Sequence, residues 1–447
     1  MTDAEYIYVM INAILYVGVL FIYWVGTKRI TIGTFLLIIW SISAVGAIWY
    51  EPNNFIGHLH KIQLWPFFYM FALNLIVFFP FLKFRHDQSM YIYANTMVLI
   101  RLCLFIGFLS VLPLCENIVR ALTYSSDSGM HELYELFEDR YTSDYDPLSY
   151  LSTYARYCTR LLGFIGTNLT TFLLVIFPLF FNIKNNKLAF TGIIIANLNF
   201  FIQSMNIFAR FAIAVQVVML LSGFIIVYYF YAIELRKKIS KYFFLLLSLM
   251  LVSFVTVSIY RLEGRNNNNN ENDVNMVLYI GQYLCEGMTN FSADRSRATI
   301  FDRREELEIA IRKSLLREKE ITKYRTKTDG YRGELTGPNF STWIGNFYLA
   351  LNPIGTIFFF FLSSFFIYRF TKKNIILSFA QCYLLIAYLR MMILGICYNT
   401  YAVGADEFVG ELFLIPFMFL TERKDGYNMT IVQNKNFEGS LCSFYHP

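Results

Sequence analysis

The chain has 447 residues, of which 56% are hydrophobic, 19% aromatic and only 16% charged, with a mean hydropathy of +0.45. A soluble fold of this length needs far more charge to cover its surface, so the composition excludes a soluble enzyme and indicates a single integral membrane domain over 1–447. The net charge of +6 is not a nucleic-acid signal, because the basic residues sit in short gaps between apolar runs, where they set topology.

A helix needs about 20 mostly apolar residues to cross a bilayer. Runs of that kind occur at 6–26, 31–50, 65–82, 90–114, 158–182, 188–205, 207–233, 242–260, 343–368, 375–398 and 402–420. The expected fold is therefore an all-α polytopic membrane protein of about eleven helices. Asp3 and Glu5 precede the first run where a cleaved signal carries basic residues, so that run is expected to stay as a helix. The gaps after the odd-numbered runs carry Lys28 and Arg29, Lys83 and Arg85, Lys184 and Lys187, Arg236 to Lys238 with Lys241, Lys372 and Lys373, and Arg423 and Lys424. Basic gaps mark the cytoplasmic side, which puts the N-terminus outside and the C-terminus inside.

Two long segments then fall outside, an acidic loop at 115–157 and a larger loop at 261–342. The first holds Asp127, His131, Glu132, Glu135, Asp144 and Asp146, and most of these carboxylates read as a solvated cap. The second contains a polar tract, RNNNNNEND, and then DRREELEIAIRKSLLREKEI, in which Asp302 and Glu305 have capping-box spacing. Leu307, Ile311 and Leu315 share a face there, as in an amphipathic helix lying on a membrane or over a cavity. The seven cysteines form no C-x-x-C pair, although Cys115 and Cys158 flank the first loop and could be bridged in an oxidising compartment.

Phosphate-loop, zincin, nucleophile-elbow and dinucleotide motifs are missing, and with them the usual warrants for ATP-driven transport, metalloproteolysis and serine hydrolysis. Arginine instead occupies unusual places: Arg101, Arg160, Arg210 and Arg390 lie in or at the ends of apolar runs. An ionisable residue inside a span costs several kcal/mol (~3 at the centre on insertion scales) unless paired or solvated. One reading is structural, each arginine pairing with a carbonyl or with an acid such as Glu411. The other groups Arg160, Arg210 and Arg390 in the outer half with Arg295 and Arg332, a set of guanidinium forks suited to a lipid-linked pyrophosphate. Asp144 and Asp146 lie late in their loop and make a poor divalent-ion site, so no metal or other cofactor is expected. A general base must be a carboxylate or imidazole within reach of the proton it takes; Asp127, His131, Glu132, Glu334, Asp406 and Glu407 are candidates, and the sequence does not choose among them.

The stretch GELTGPNFSTWIGNFYLALNPIGTIFFFFLSSFFIYRF, 333–370, resembles the late-helix segment of the Wzy-type oligosaccharide repeat-unit polymerases of O-antigen and capsule synthesis. Gly337, Asn339, Thr342, Gly345, Tyr348 and Gly355 occupy the matching places, while Phe358 replaces a glycine and Leu351-Asn352-Pro353 replaces Asp-Phe-Gly. The resemblance implies a GT-C-like helical fold in the bacterial cytoplasmic (inner) membrane. It also implies metal-independent transfer of a growing chain from its undecaprenyl-pyrophosphate carrier to a lipid-linked acceptor unit, with a chain-length regulator and a flippase as partners. Asn339 and Tyr348 are then expected to bind sugar, and Pro353 to kink the helix. The alternatives are an O-antigen ligase, a flippase or polysaccharide transporter, and a structural partner of a polysaccharide machine.

Overall fold

The computed structural model describes residues 2–28, 31–51, 61–84, 91–124, 148–180, 186–207, 209–228, 231, 233–268, 276–292, 342–371, 376–396, 405–424 and 429–433. Its elements are α1 (Asp3–Thr27), α2 (Ile32–Tyr50), α3 (Leu64–Leu82), β1 (Tyr91–Asn95), α4 (Thr96–Thr123), α5 (Thr153–Ile165), α6 (Thr167–Ile176), a 3-10 turn (Phe177–Phe180), α7 (Asn186–Asn206), α8 (Arg210–Val227), α9 (Ile233–Asn268), α10 (Met276–Asn290), α11 (Trp343–Thr371), β2 (Ile376–Ser378), α12 (Phe379–Leu394), α13 (Ala405–Lys424) and β3 (Met429–Gln433).

Each of the eleven apolar runs carries a helix. Seven helices among the described residues are long and apolar enough to cross a membrane, and α5 with α6 and the following turn make an eighth if that bent pair is one span. The chain is a helical, multi-pass membrane protein. Its outward faces agree: Ile14, Phe21 and Ile22 on α1, Phe108 on α4, Leu245 on α9 and Phe413 on α13 are all exposed, a belt that only lipid would cover. On α1 the buried set Val9, Asn12, Ala13 and Tyr16 recurs at helical spacing and faces the bundle.

The core is built around α12, fourteen of whose sixteen residues are buried. Trp40 ties α2 to it, donating from Nε1 to the Met392 carbonyl at 3.1 Å, and Tyr16 stacks on Trp40 while accepting from Asn74 Nδ2 at 2.7 Å. A buried indole or phenol without a partner costs about 1–3 kcal/mol, so these bonds fix which way the large rings face. The backbones of α4 and α7 meet at Gly107 and Gly192, where the missing side chains let the two helices cross closely.

The sheet is what the all-α reading did not contain. β1 pairs in parallel with β2, Tyr91 opposite Ile376, and antiparallel with β3, Tyr91 opposite Gln433. The runs 90–114 and 375–398 therefore begin as strands and only then turn helical. Asn95 Oδ1 accepts from the Val98 N–H, and Ser378 with Gln381 forms a capping box, so each strand passes into its helix through an N-cap with no loop between. The sheet joins the starts of α4 and α12 to the end of α13 at one end of the bundle.

The two long segments also differ from their expected bounds. α4 continues to Thr123 and α5 begins at Thr153, so both ends of 115–157 are helical. α9 runs through 261 to Asn268, and α10 lies inside 261–342 yet packs into the bundle, with Met288 and Phe291 buried. Ser43 Oγ donates to the Leu284 carbonyl, and Gln63 N–H donates to Ser292 Oγ at 2.9 Å. The amphipathic stretch 302–320 and the tract at 265–273, apart from its first residues in α9, lie outside the described residues. Cys115 and Cys158 are both free thiols, so the bridge is not made.

α11 folds back on itself. In a straight helix Phe347 and Thr356 stand about 13 Å apart along the axis at 1.5 Å per residue. Here Thr356 Oγ1 donates to the Phe347 carbonyl at 3.0 Å, the rings of Phe347 and Phe359 are 4.8 Å apart, and those of Trp343 and Phe360 are 4.5 Å apart. These contacts all require a reversal near Asn352 and Pro353. Proline has no N–H for the carbonyl four residues back and its ring clashes there, which breaks the helix. Residues 343–351 are thus a short arm lying against the first turns of the span that starts at Pro353.

Candidate functional site

Two places in the bundle bury ionisable side chains. The first is built on the break between α5 and α6, which are bent by 70° at Gly166. Gly166 has φ 82°, a conformation that glycine adopts without steric cost. α13 crosses this break at Gly410, where an added Cβ would stand 1.6 Å from the Phe164 carbonyl oxygen, so the crossing admits no side chain. The next residue, Glu411, then reaches the first turn of α6. Its Oε1 accepts from Asn168 Nδ2 at 2.9 Å and from Tyr383 OH at 3.1 Å, and lies 3.5 Å from Arg390 Nη2. The Arg390 and Glu411 side chains are only 1% and 4% exposed. In such surroundings each charge needs the other.

The second place is at the opposite end from the sheet, where α10 and the α11 arm meet α1, α2 and α3. Thr342 N–H donates to the Gly287 carbonyl at 3.4 Å and Trp343 N–H to the Gly395 carbonyl at 2.8 Å, which holds the start of the arm inside the bundle. Next to Gly287, Glu286 is fully buried and accepts from Asn290 Nδ2 at 2.9 Å. Tyr50 hydrogen-bonds Glu286 and also feels the charge of Glu51, itself buried. Two carboxylates, a phenol and an amide therefore gather in an apolar wall. Neither Glu51 nor Glu286 was singled out from sequence. The available signal was a lone acid in the otherwise uncharged stretch MVLYIGQYLCEGMTN.

Tyr348 belongs to the same end, but as packing. Its ring stands edge-on to Tyr69 at 5.6 Å and to Phe291 at 5.8 Å, it is 7% exposed, and Tyr69 OH donates to the Pro353 carbonyl at 2.7 Å. In this structure Tyr348, expected to meet sugar, is packed between Tyr69 of α3 and Phe291 just past α10. Arg390 is likewise enclosed. Its guanidinium faces Glu411, the structural pairing the sequence allowed.

Arg160 lies on α5 and is exposed, so it and Arg390 do not face one space. Arg156, one turn earlier, donates from Nη2 to the carbonyls of Ser149 and Leu151 at 3.1 Å each. Arg210 opens α8 and Asp406 lies in the first turn of α13. His131, Arg295, Arg332, Glu334 and Asn339 lie outside the described residues.

The fold and these sites define a polytopic helical membrane protein with a broken helix, a re-entrant arm and buried acid clusters at two depths. Compared with known proteins, the chain matches no family model, no curated protein and no solved structure.

Proposed function

We propose that the chain is a membrane glycosyltransferase of the repeat-unit polymerase kind. It acts at the outer face of the bacterial cytoplasmic membrane through eleven crossings in a GT-C-like arrangement. The seven long helices and the bent pair supply eight crossings. α8, α12 and α13 supply the other three. α12 starts in the sheet and ends beside the α11 arm, and α13 runs back to the sheet, so each has the direction of a span. α10 and the arm dip in from the outer side without crossing.

The observation that carries this reading is the segment resembling the polymerases, 333–370. Its described part forms the arm that folds against its own span beside α10, at the end where a lipid-linked substrate would arrive. A pyrophosphate carrier is gripped by Arg160, Arg210, Arg295 and Arg332, and the sugar by Asn339 on the way into the arm. Glu286 joins His131, Glu334 and Asp406 as a candidate base for the acceptor hydroxyl, because it sits directly beside the arm. Its donor and acceptor partners are undecaprenyl-pyrophosphate oligosaccharides, assisted by a flippase and a chain-length regulator.

A second reading is favoured by one feature. A helix broken in mid-bundle beside a buried Arg390–Glu411 pair is the kind of site at which secondary transporters bind substrate, which fits a flippase or polysaccharide transporter.

The test is incubation of the purified protein with undecaprenyl-pyrophosphate repeat units of its host, with and without EDTA. A ladder of lipid-linked oligomers that survives the chelator supports the polymerase. Transfer to a different lipid acceptor marks a ligase. No product from folded protein, together with substrate movement across proteoliposomes, supports the transporter.

A further inference from the structure

At the sheet end of the bundle, between α6, α7, α8 and α9, lies a cavity of about 380 Å³. That is within the ~300–1,000 Å³ range of ligand sites. Its walls are apolar or aromatic throughout, with Leu174, Phe190, Leu220, Phe224, Phe243 and Leu246 among them. The hydroxyl of Tyr231, which also lines it, is already given to the Val175 carbonyl. A water inside would find none of the two to four partners it needs, so the space suits hydrocarbon.

The wall from α9 consists of Ile239, Tyr242, Phe243 and Leu246, spaced as one helical face. That face rises directly out of the basic first turns of the same helix, where Arg236, Lys237, Lys238 and Lys241 stand against the single acid Glu234. Arg236 is occupied: its Nε donates to the Tyr231 carbonyl at 2.8 Å and its guanidinium lies 5.4 Å from the Tyr228 ring. Lys237, Lys238 and Lys241 are exposed. Lys238 is four residues before Tyr242, which puts it on the same side of α9, one turn nearer the helix start, at the cavity rim. Tyr242, 58% exposed, stands at the open side. An apolar cavity with an exposed ammonium group, that of Lys238, beside its open edge at the end of a membrane span has the shape and charge of a tail-and-headgroup site.

We propose that this cavity holds one acyl chain of an anionic phospholipid whose phosphate rests on Lys238. The inference does not depend on the polymerase reading, since it concerns the other end of the bundle and a non-reacting lipid. The test uses the wild-type protein in phosphatidylcholine nanodiscs containing phosphatidylglycerol with a diazirine near the end of one acyl chain. After irradiation, labelled peptides are mapped by mass spectrometry. The expected result is labelling of Leu220 and Leu246, suppressed severalfold by unlabelled phosphatidylglycerol but not by added phosphatidylcholine. Lys238→Gln should abolish that preference while labelling still occurs. Labelling confined to the outward-facing Phe244 and Leu245, or equal competition by the two lipids in wild type, would overturn the proposal.

Discussion

At the scale of single residues, the Arg390–Glu411 pair is the feature with the largest expected consequence. Removing one partner of a buried ion pair leaves the other charge uncompensated and costs about 3–5 kcal/mol, whereas replacing both by apolar residues is often near neutral. Glu411→Ala should therefore lower the melting temperature in detergent sharply, the more so because Asn168 and Tyr383 lose their acceptor. Arg390→Met combined with Glu411→Leu should recover much of that loss. If the single and double variants melt alike, the pair is not what holds α12 to α13. Glu422 offers a separate test in pH. It lies beyond the apolar run of α13, at the first turn of α12, where its Oε1 accepts from the Ala380 N–H at 3.1 Å while Oε2 is buried without a partner. Burial pushes its carboxyl up to about 7 from the usual 4.5, against the hydrogen bonds from Ser378, Ala380 and Phe379, which pull it down. A carboxyl whose folded-state pKa is raised contributes stability that is full below its unfolded pKa and is lost as pH rises through the folded one. Glu422→Gln has no proton to lose, so its melting temperature should gain on wild type as pH goes from about 5 to 8. A difference that stays constant across that range would mean the carboxyl is already ionised throughout.

At the scale of elements, the sequence announced helices well and their interruptions poorly. Every apolar run became a helix because apolarity over about 20 residues is a strong signal. β1 and β2 were absorbed into neighbouring helices because Ile, Leu and Tyr are equally at home in a strand and in a span, and only the caps Asn95 and Ser378 marked the change. α10 was missed for the opposite reason: it is short and carries an acid, and what makes it a bundle element is its contact with α2, which no local pattern encodes. The kink expected at Pro353 is there, but a proline predicts a break and not its angle. Packing of Trp343, Phe347 and Phe360 decides that the arm returns along its own span. The candidate site was legible only as residue types: the arginines were visible, and Glu411 could be named as one acid Arg390 could meet, but that the two helices bring them together is a matter of packing. The fold-back makes a direct prediction. Cysteines replacing Phe347 and Thr356 should lose their reactivity together on mild oxidation, as an internal disulfide forms. In a straight helix the two are about 13 Å apart along the axis, beyond any disulfide, and both thiols would stay free.

At the scale of the whole molecule, two sets of contacts separate the ends of the bundle. At one end, Glu5 Oε1 accepts from the Ile62 N–H at 3.2 Å, joining the start of α1 to the approach of α3. At the other, Tyr23 OH donates to the Leu82 carbonyl at 3.0 Å, joining the ends of the same two helices, and β1 follows directly into the sheet with β2 and β3. The start of α1 and the end of α13 are therefore on opposite ends, which requires an odd number of crossings. The eleven crossings proposed above meet that condition, and they need α8, α12 and α13 to count although α12 has only sixteen residues. A short span is tolerable when it is shielded from lipid, and α12 is enclosed on all sides by other helices, so the bilayer imposes no length on it. The proposed orientation puts the sheet end in the cytoplasm: Lys83, Lys372, Lys373, Arg423 and Lys424 all flank elements that enter the sheet, and basic residues mark that side. Single cysteines introduced at Thr2, Lys83, Lys373 and Lys424 should divide accordingly under a membrane-impermeant thiol reagent. The first should be labelled in intact cells, and the other three only after permeabilisation. Labelling of Thr2 and Lys424 from the same side would mean an even number of crossings. That would remove one of the three short helices from the count, and the outer location of the α11 arm would then have to be measured on its own.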